Sequence, residues 1–290
     1  IHVLQENGFH LRGADILIGT DIPIGGGLSS SASLETAVGL AMLTLSEHEI
    51  DRSELAWMCK EAENDFVGVS CGIMDQYVIA LSDYGHAMKL DCRTMHYEQV
   101  PLPEDAALIV VNSGVKHTLS DGGYNNRQQE CTRAVELLRN DFPNMTALRD
   151  VNPEQLVSRR AALGDTLFRR ARHVVTEIQR VRDAHGAMVA GDSVYLGQLI
   201  NDSHNSLRDD FEVSCEELDD LVEIARQCDG VLGSRMVGAG FGGCTVSLVE
   251  PAATHHVLAE IRERYGKQLG QEPWCQAVMA AEPVSELAVR

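Results

Sequence analysis

Long apolar runs are absent from these 290 residues, and no stretch approaches the roughly 18 uninterrupted apolar residues of a membrane span. Positive charge is scarce as well. Against 43 Asp and Glu there are 24 Lys and Arg, a formal net charge of −19. The long-range field of such a chain repels nucleic-acid backbones and anionic lipid surfaces, which excludes both as nonspecific partners. A single nucleotide stays compatible with that charge, because local amides, a metal ion and a few cations act within the screening length of about 8 Å. No CxxC pair occurs. The eight cysteines, Cys59, Cys71, Cys92, Cys131, Cys215, Cys228, Cys244 and Cys275, stand singly, which reads as reduced thiols of a cytoplasmic protein rather than a disulfide framework or a zinc site. The eleven histidines show no metal-ligand spacing, and His255 and His256 fall in a surface-helix pattern. There is no internal repeat, low-complexity segment or signal peptide, and Ile1 in place of Met reads as an incomplete or processed start.

What is present is ordinary globular composition, 44% apolar and 23% charged, at a length suited to two domains. The run from Asp15 to Asp21 is rich in strand formers, and Pro23 through Gly27 ends it with a proline and three consecutive glycines. A helix follows, with Ser29, Ser30 and Ser31 offering N-cap hydroxyls and Leu34, Val38, Met42 and Leu45 at helical spacing. A second helix over Arg52 to Phe66 places Leu55, Cys59, Ala62 and Phe66 on one stripe, flanked by Glu63. A third helix starts near Met74, and Gly85 to Cys92 reads as a strand. A Pro-punctuated connection then leads into the apolar run Ala106 to Val111 and marks the domain boundary. Beyond it Arg172 to His185, Tyr195 to Ser206 and Glu216 to Cys228 read as helices and Cys244 to Val249 as a strand. Clustered helices of this kind suit α+β packing better than a doubly wound sheet.

Three segments carry chemistry. In Pro23-Ile24-Gly25-Gly26-Gly27-Leu28-Ser29-Ser30-Ser31 the glycines let backbone amides converge ahead of a helix N-terminus, an anion-binding arrangement, and hydroxyls there can ligate Mg²⁺. A tight turn with a serine cap explains the same residues without a ligand, and no Gly-Lys-Ser/Thr of the common P-loop follows. In Gly72-Ile73-Met74-Asp75-Gln76 the Asp is either a helix cap or a base that stays ionised beside a helix dipole and receives a hydroxyl proton; Glu63, twelve residues upstream, suits a second Mg²⁺ ligand. The cluster Gly233 to Cys244 precedes β-like sequence where a dinucleotide fingerprint would open a helix, which argues against that fold. It can bring a backbone close to another loop or to a phosphate.

Taken together these segments resemble the galactokinase branch of the superfamily that also holds homoserine, mevalonate and phosphomevalonate kinases. The resemblance covers Gly25 to Leu34, Cys71 to Gln76, Gly85 to Cys92, Asn112 to Cys131, Arg169 to Thr176, Ser203 to Leu218 and Gly233 to Val246, in the family's order. Ser206-Leu207-Arg208-Asp209-Asp210-Phe211-Glu212-Val213-Ser214 and Asn112-Ser113-Gly114-Val115-Lys116-His117 point to the galactokinase branch in particular. The resemblance implies an α+β, two-domain GHMP kinase fold. Residues 1–102 would form a truncated domain like the second domain of ribosomal protein S5, and residues 103–290 a ferredoxin-like domain.

It further implies ATP-dependent phosphorylation of galactose at the C1 hydroxyl by a cytoplasmic enzyme, expected to be a monomer. Gly25, Gly26, Gly27, Leu28, Ser29, Ser30 and Ser31 would wrap the ATP phosphates, Ser31 and Glu63 would hold Mg²⁺, and Asp75 would be the catalytic Asp facing the sugar. Gly72 and Tyr124 match sugar-contacting positions, and the second glycine cluster matches a motif that supports the phosphate loop. The family's first motif, an Arg-Val-Asn-Leu-Ile-Gly-Glu-His-Thr-Asp-Tyr-like segment that grips sugar hydroxyls, has no counterpart here, so the chain by itself is expected to phosphorylate galactose poorly. Arg127-Gln128 replaces a usual pair of arginines, and Val237 a frequent Thr. The alternatives are a kinase for another sugar or amino sugar of the same branch, or a non-catalytic galactose and ATP sensor; intact Ser29-Ser30-Ser31 and Asp75 argue against the sensor.

Overall fold

A computed structural model describes residues 1–23, 25–68, 71–115 and 123–287, without the side chain of residue 124. The chain divides into two compact units, one of residues 1–24, 28–102 and 279 onward, the other of residues 25–27 and 103–278.

The first unit is built on helices. Helix α1 (His2–Glu6) precedes an irregular segment, and then come α2 (Ser30–Leu45), α3 (Arg52–Glu61) and α4 (Met74–Leu81), followed by β1 (His86–Leu90) and β2 (Tyr97–Pro101). Asp51 caps α3 by accepting from the Ser53 N–H at 2.8 Å. Leu40 and Leu43 of α2 close on Leu55, Met58 and Cys59 of α3 and on Val3 and Leu4, while Ile73, Tyr77 and Ala80 of α4 pack on Met88 and Leu90 of β1. Strands β1 and β2 pair antiparallel from His86 opposite Pro101 to Leu90 opposite Tyr97.

Four sequence expectations fail here, each for a local reason. Residues 15–21 form no strand: β1 and β2 pair with each other, no other described strand lies beside the segment to complete a ladder, and Leu17 is fully exposed. The Pro-punctuated connection expected from Val100 onward begins only at Leu102, because β2 runs on to Pro101; Pro101 and Pro103 fall at and beyond its end and cost no internal ladder bond. The serines do not cap α2 with a side chain; Ser29, at the N-cap position, is left-handed (φ 56°) and makes no cap hydrogen bond. Finally, the apolar stripe of α3 breaks after Ala62 because the helix widens into a π turn over Ala62–Val67. Phe66 is thereby carried out to 71% exposure and Glu63 is left buried.

The second unit contains β3 (Ala107–Asn112), α5 (Gly123–Leu138), α6 (Pro153–Ser158), α7 (Arg160–Ala190), α8 (Ser193–Ser206), α9 (Glu216–Arg226), β4 (Val231–Met236), β5 (Cys244–Val249), α10 (Thr254–Leu269) and β6 (Cys275–Val278). Its sheet runs β4-β5-β3-β6, every pairing antiparallel, the ferredoxin-like order. Alternation along β3 sorts the two faces. Ile109 and Val111 meet α9 and α10 through Leu221, Ile224, Val257 and Ile261, whereas Leu108, with Leu248 of β5, meets Leu196 and Leu199 of α8. His255 and His256 lie exposed on α10, as expected. No described helix is long and apolar enough to cross a membrane.

Candidate active site

In the first unit the π turn presents Glu63 to two neighbours at once. Its Oε1 accepts from the Ser31 hydroxyl at 2.8 Å and its Oε2 from the Gln76 amide at 2.8 Å, with the carboxylate 8% exposed. The structure thus brings together Ser31 and Glu63, both expected to hold the same cation. Asp75 stands beside Gln76 in the first turn of α4, half-buried and without a hydrogen bond among the described residues. Gly72 is exposed in the turn ahead of α4, while the Tyr124 side chain lies outside the described residues.

Glu35 joins this neighbourhood without any motif of the sequence having marked it. It lies four residues after Ser31 on α2, so it shares that helix face, a spacing that could have revealed it. Burial, then the charge of Glu63, push its carboxyl up to about 7, partly countered by a hydrogen bond from Gln76. Oε2 of Glu35 and Oε1 of Gln76 are buried without a partner. The thiol of Cys71, 3.6 Å from Glu63 Oε2, is pushed up to about 11, chiefly by burial. This neighbourhood offers hard oxygen donors and unused acceptor atoms, which fits Mg²⁺. No group of three or more His, Cys, Asp or Glu among the described residues could hold a metal ion, and Mg²⁺ characteristically completes its shell with phosphate oxygens and water.

A cavity of about 540 Å³ lies between α1, α2 and α3, lined by residues such as Leu34, Val38, Leu55 and Met58. Its wall is mostly apolar, so it gives sugar hydroxyls little to bond.

In the second unit the connection from Val237 to Gly243 cradles Gly26 and Gly27. A Cβ at Gly238 would stand 2.8 Å from the Gly27 carbonyl oxygen, and one at Gly243 2.9 Å from that of Gly26; both have positive φ, 75° and 91°. Only glycine allows that approach. The cradle is anchored in turn, since Phe241 N–H donates to Val213 C=O at 2.7 Å and Gly243 N–H to Val115 C=O at 3.0 Å. Val213 follows Glu212, which pairs with Arg169 and Arg170 of α7; Arg170 also reaches Glu130 at 2.7 Å and the Asp210 carbonyl at 2.7 Å. Arg127, whose usual arginine neighbour is Gln128 here, joins this network through Glu130 at 2.6 Å.

Residues 1–83 match the GHMP kinases N terminal domain and residues 184–267 the GHMP kinases C terminal family. A galactokinase of Roseiflexus sp. (strain RS-1) is 43% identical over 284 residues, which cover 98% of this chain and 73% of that protein. The chain belongs to the galactokinase family. A galactokinase of Chloroflexus aggregans is 46% identical over 261 residues, 90% of this chain and 67% of that protein. The crystal structure of Lactococcus lactis galactokinase complexed with galactose superposes with a TM-score of 0.90 at 34% identity, covering 99% of this chain and 74% of that one. The crystal structure of L. major mevalonate kinase in complex with R-mevalonate shares the fold at a TM-score of 0.57 and 18% identity, covering 87% of this chain and 66% of that one. Galactokinase membership makes the chain a sugar kinase of the two-domain α+β GHMP fold, as the motifs implied.

Proposed function

We propose that this chain transfers the γ-phosphoryl group of ATP to O1 of galactose in the cytoplasm, with Mg²⁺ held by Ser31 and Glu63. The observation that carries the cation assignment is the 2.8 Å contact between Ser31 Oγ and Glu63 Oε1, oxygen donors from two helices, on residues that the family resemblance selected independently. Galactose as the substrate rests on the family, whose Lactococcus member was crystallised with that sugar. Eight cysteines that stand singly in the sequence suit a reducing compartment.

In this reading Gly25 to Ser31 bind the phosphates through backbone amides and the N-terminal end of α2, held in shape by Gly238 and Gly243. Mg²⁺, which Ser31 and Glu63 would hold, would supply charge neutralisation for the phosphate oxygens. Asp75, uncommitted to any described hydrogen bond, accepts the proton of the sugar hydroxyl as it attacks in line. Gly72, without a side chain, and Tyr124 contact the sugar. We divide the chain after Leu102 into the domain bearing Ser31, Glu63 and Asp75 and the domain bearing the glycine cradle.

The test is ADP release coupled to a panel of hexoses and amino sugars at saturating MgATP, with the product located by phosphorus NMR. Galactose 1-phosphate, formed slowly because these residues hold no counterpart of the family's first motif, is the expected product. Preference for another sugar transfers the assignment to a different kinase of the branch, and nucleotide binding without any turnover favours a sensor.

A further inference from the structure

Gln76 is 1% exposed, yet its side chain is polar and one of its two polar ends is idle: Nε2 donates to Glu63 Oε2, while Oε1 has no partner. Burying an amide oxygen without a partner costs the fold its full desolvation penalty, so packing alone does not account for an amide here. We infer that Gln76 is a positioning residue, whose amide fixes the Glu63 carboxylate with Oε1 turned to Ser31 so that the cation of MgATP meets a preset pair of oxygens.

The chemistry of the alternatives shows why an amide suits the task. A Lys or Arg at this place would hold Glu63 equally well but would cancel its charge and oppose a divalent cation. A carboxylate would add a third negative group to Glu35 and Glu63 and could not donate. A methionine of similar length would leave Oε2 free, and with it the torsion that aims Oε1. The carboxamide donates without changing the charge, and it lies between two carboxylates that burial forces together. Cys71, the remaining polar group at hand, is 3.9 Å from Nε2 and too weak an acceptor to compete. The clamp has a second consequence. Gln76 follows Asp75 in the same turn of α4, so the bond to Glu63 also ties the helix of the proposed base to the π turn of the proposed cation ligand.

This inference rests on the Mg²⁺ reading above, and the experiment separates the two. ADP affinity is measured calorimetrically with and without Mg²⁺ for the wild-type chain, Gln76→Met and Gln76→Glu, alongside melting temperature. The wild type is expected to gain at least tenfold in affinity from Mg²⁺. Both variants are expected to lose most of that gain while binding metal-free ADP within twofold of wild type, a pattern that general loosening of the fold would not produce. A wild type indifferent to Mg²⁺ overturns the cation site itself; a wild-type gain that survives in either folded variant overturns only the role of Gln76. Should neither variant fold, the side-chain amide resonance of Gln76 in the wild-type ADP complex decides: it shifts on addition of Mg²⁺ if the clamp is part of the site, and an unmoved resonance overturns the proposal.

Discussion

Ser31 donates to Glu63 across 2.8 Å although 32 residues separate them in sequence. One partner opens a helix; the other sits in a π turn. Because Glu35 crowds the same buried pocket of negative charge, Glu63 is held at some cost to the fold. Replacing Glu63 with Gln should therefore lower kcat on the order of 100-fold, the scale of losing one main electrostatic group, while leaving the melting temperature unchanged or raised. A matching fall in both quantities would mean that the carboxylate is structural.

Asp75→Asn keeps the shape of the first turn of α4 but removes the proton acceptor. Turnover should fall by about 10² to 10⁴, the usual span for a general base, with ADP affinity intact. Near-normal turnover in steady-state assays would remove Asp75 from the chemistry.

At Gly243 the backbone is left-handed and the Gly26 carbonyl oxygen is within reach of any added Cβ. Gly243→Ala should displace the Gly25–Gly27 segment and raise KM for ATP several-fold with little change in KM for the sugar. Equal effects on both constants would point to general unfolding in place of a phosphate-loop shift.

Arg170 is 2% exposed and pairs with Glu130 and Glu212. Arg170→Met leaves Glu130 to Arg127 and Glu212 to Arg169 and removes the donor to the Asp210 carbonyl, a loss of about 1.5–3 kcal/mol, readable as a lower urea midpoint. Since Glu212 precedes Val213, whose carbonyl holds Phe241, KM for ATP should rise too.

Acid should destabilise the second unit through two histidines. Burial drives His173 down to about 4 and His204 to about 3, with nearby arginines adding to the effect. His204 Nε2 stands 3.2 Å from Asp219 Oδ1 but without hydrogen-bond alignment, too weak a contact to reverse the shift. A histidine depressed on folding stays neutral in the fold and takes up a proton on unfolding. Its contribution is therefore intact above about pH 6.5 and lost as pH falls toward the folded value, at about 1.4 kcal/mol per pH unit for each proton. Melting temperature followed between pH 7 and 4.5 should decline, and His204→Asn should flatten that slope.

Local sequence was a sound guide wherever one element decides the outcome. The helices α4, α8 and α9 and the strands β1 and β5 stand close to where periodicity put them, and the two glycine clusters occupy turns. It misled where a neighbour decides. Residues 15–21 have strand composition but no described strand beside them, and Phe66 follows the helical stripe until the π turn changes its phase. The residues themselves offered the serine hydroxyls and Glu63 as Mg²⁺ ligands, but only the family resemblance paired Ser31 with Glu63, because no spacing rule joins residues so far apart. Glu35 was legible in its four-residue spacing from Ser31, whereas the clamp of Gln76 became visible only with α3 and α4 packed together.

The π turn also splits the Arg52–Val67 helix into two halves that answer to different selective pressures. Upstream, Leu55, Ala56 and Cys59 keep α-helical phase and face the core, so substitutions there should tolerate exchange among apolar residues of similar volume. Downstream the extra residue per turn releases the chain from that phase and sets the direction of Glu63 by backbone geometry. Deleting Ala62, the one residue of the π turn ahead of Glu63, would swing the carboxylate by roughly 100° and separate a stable protein from a working one without removing any residue that the proposed reaction uses.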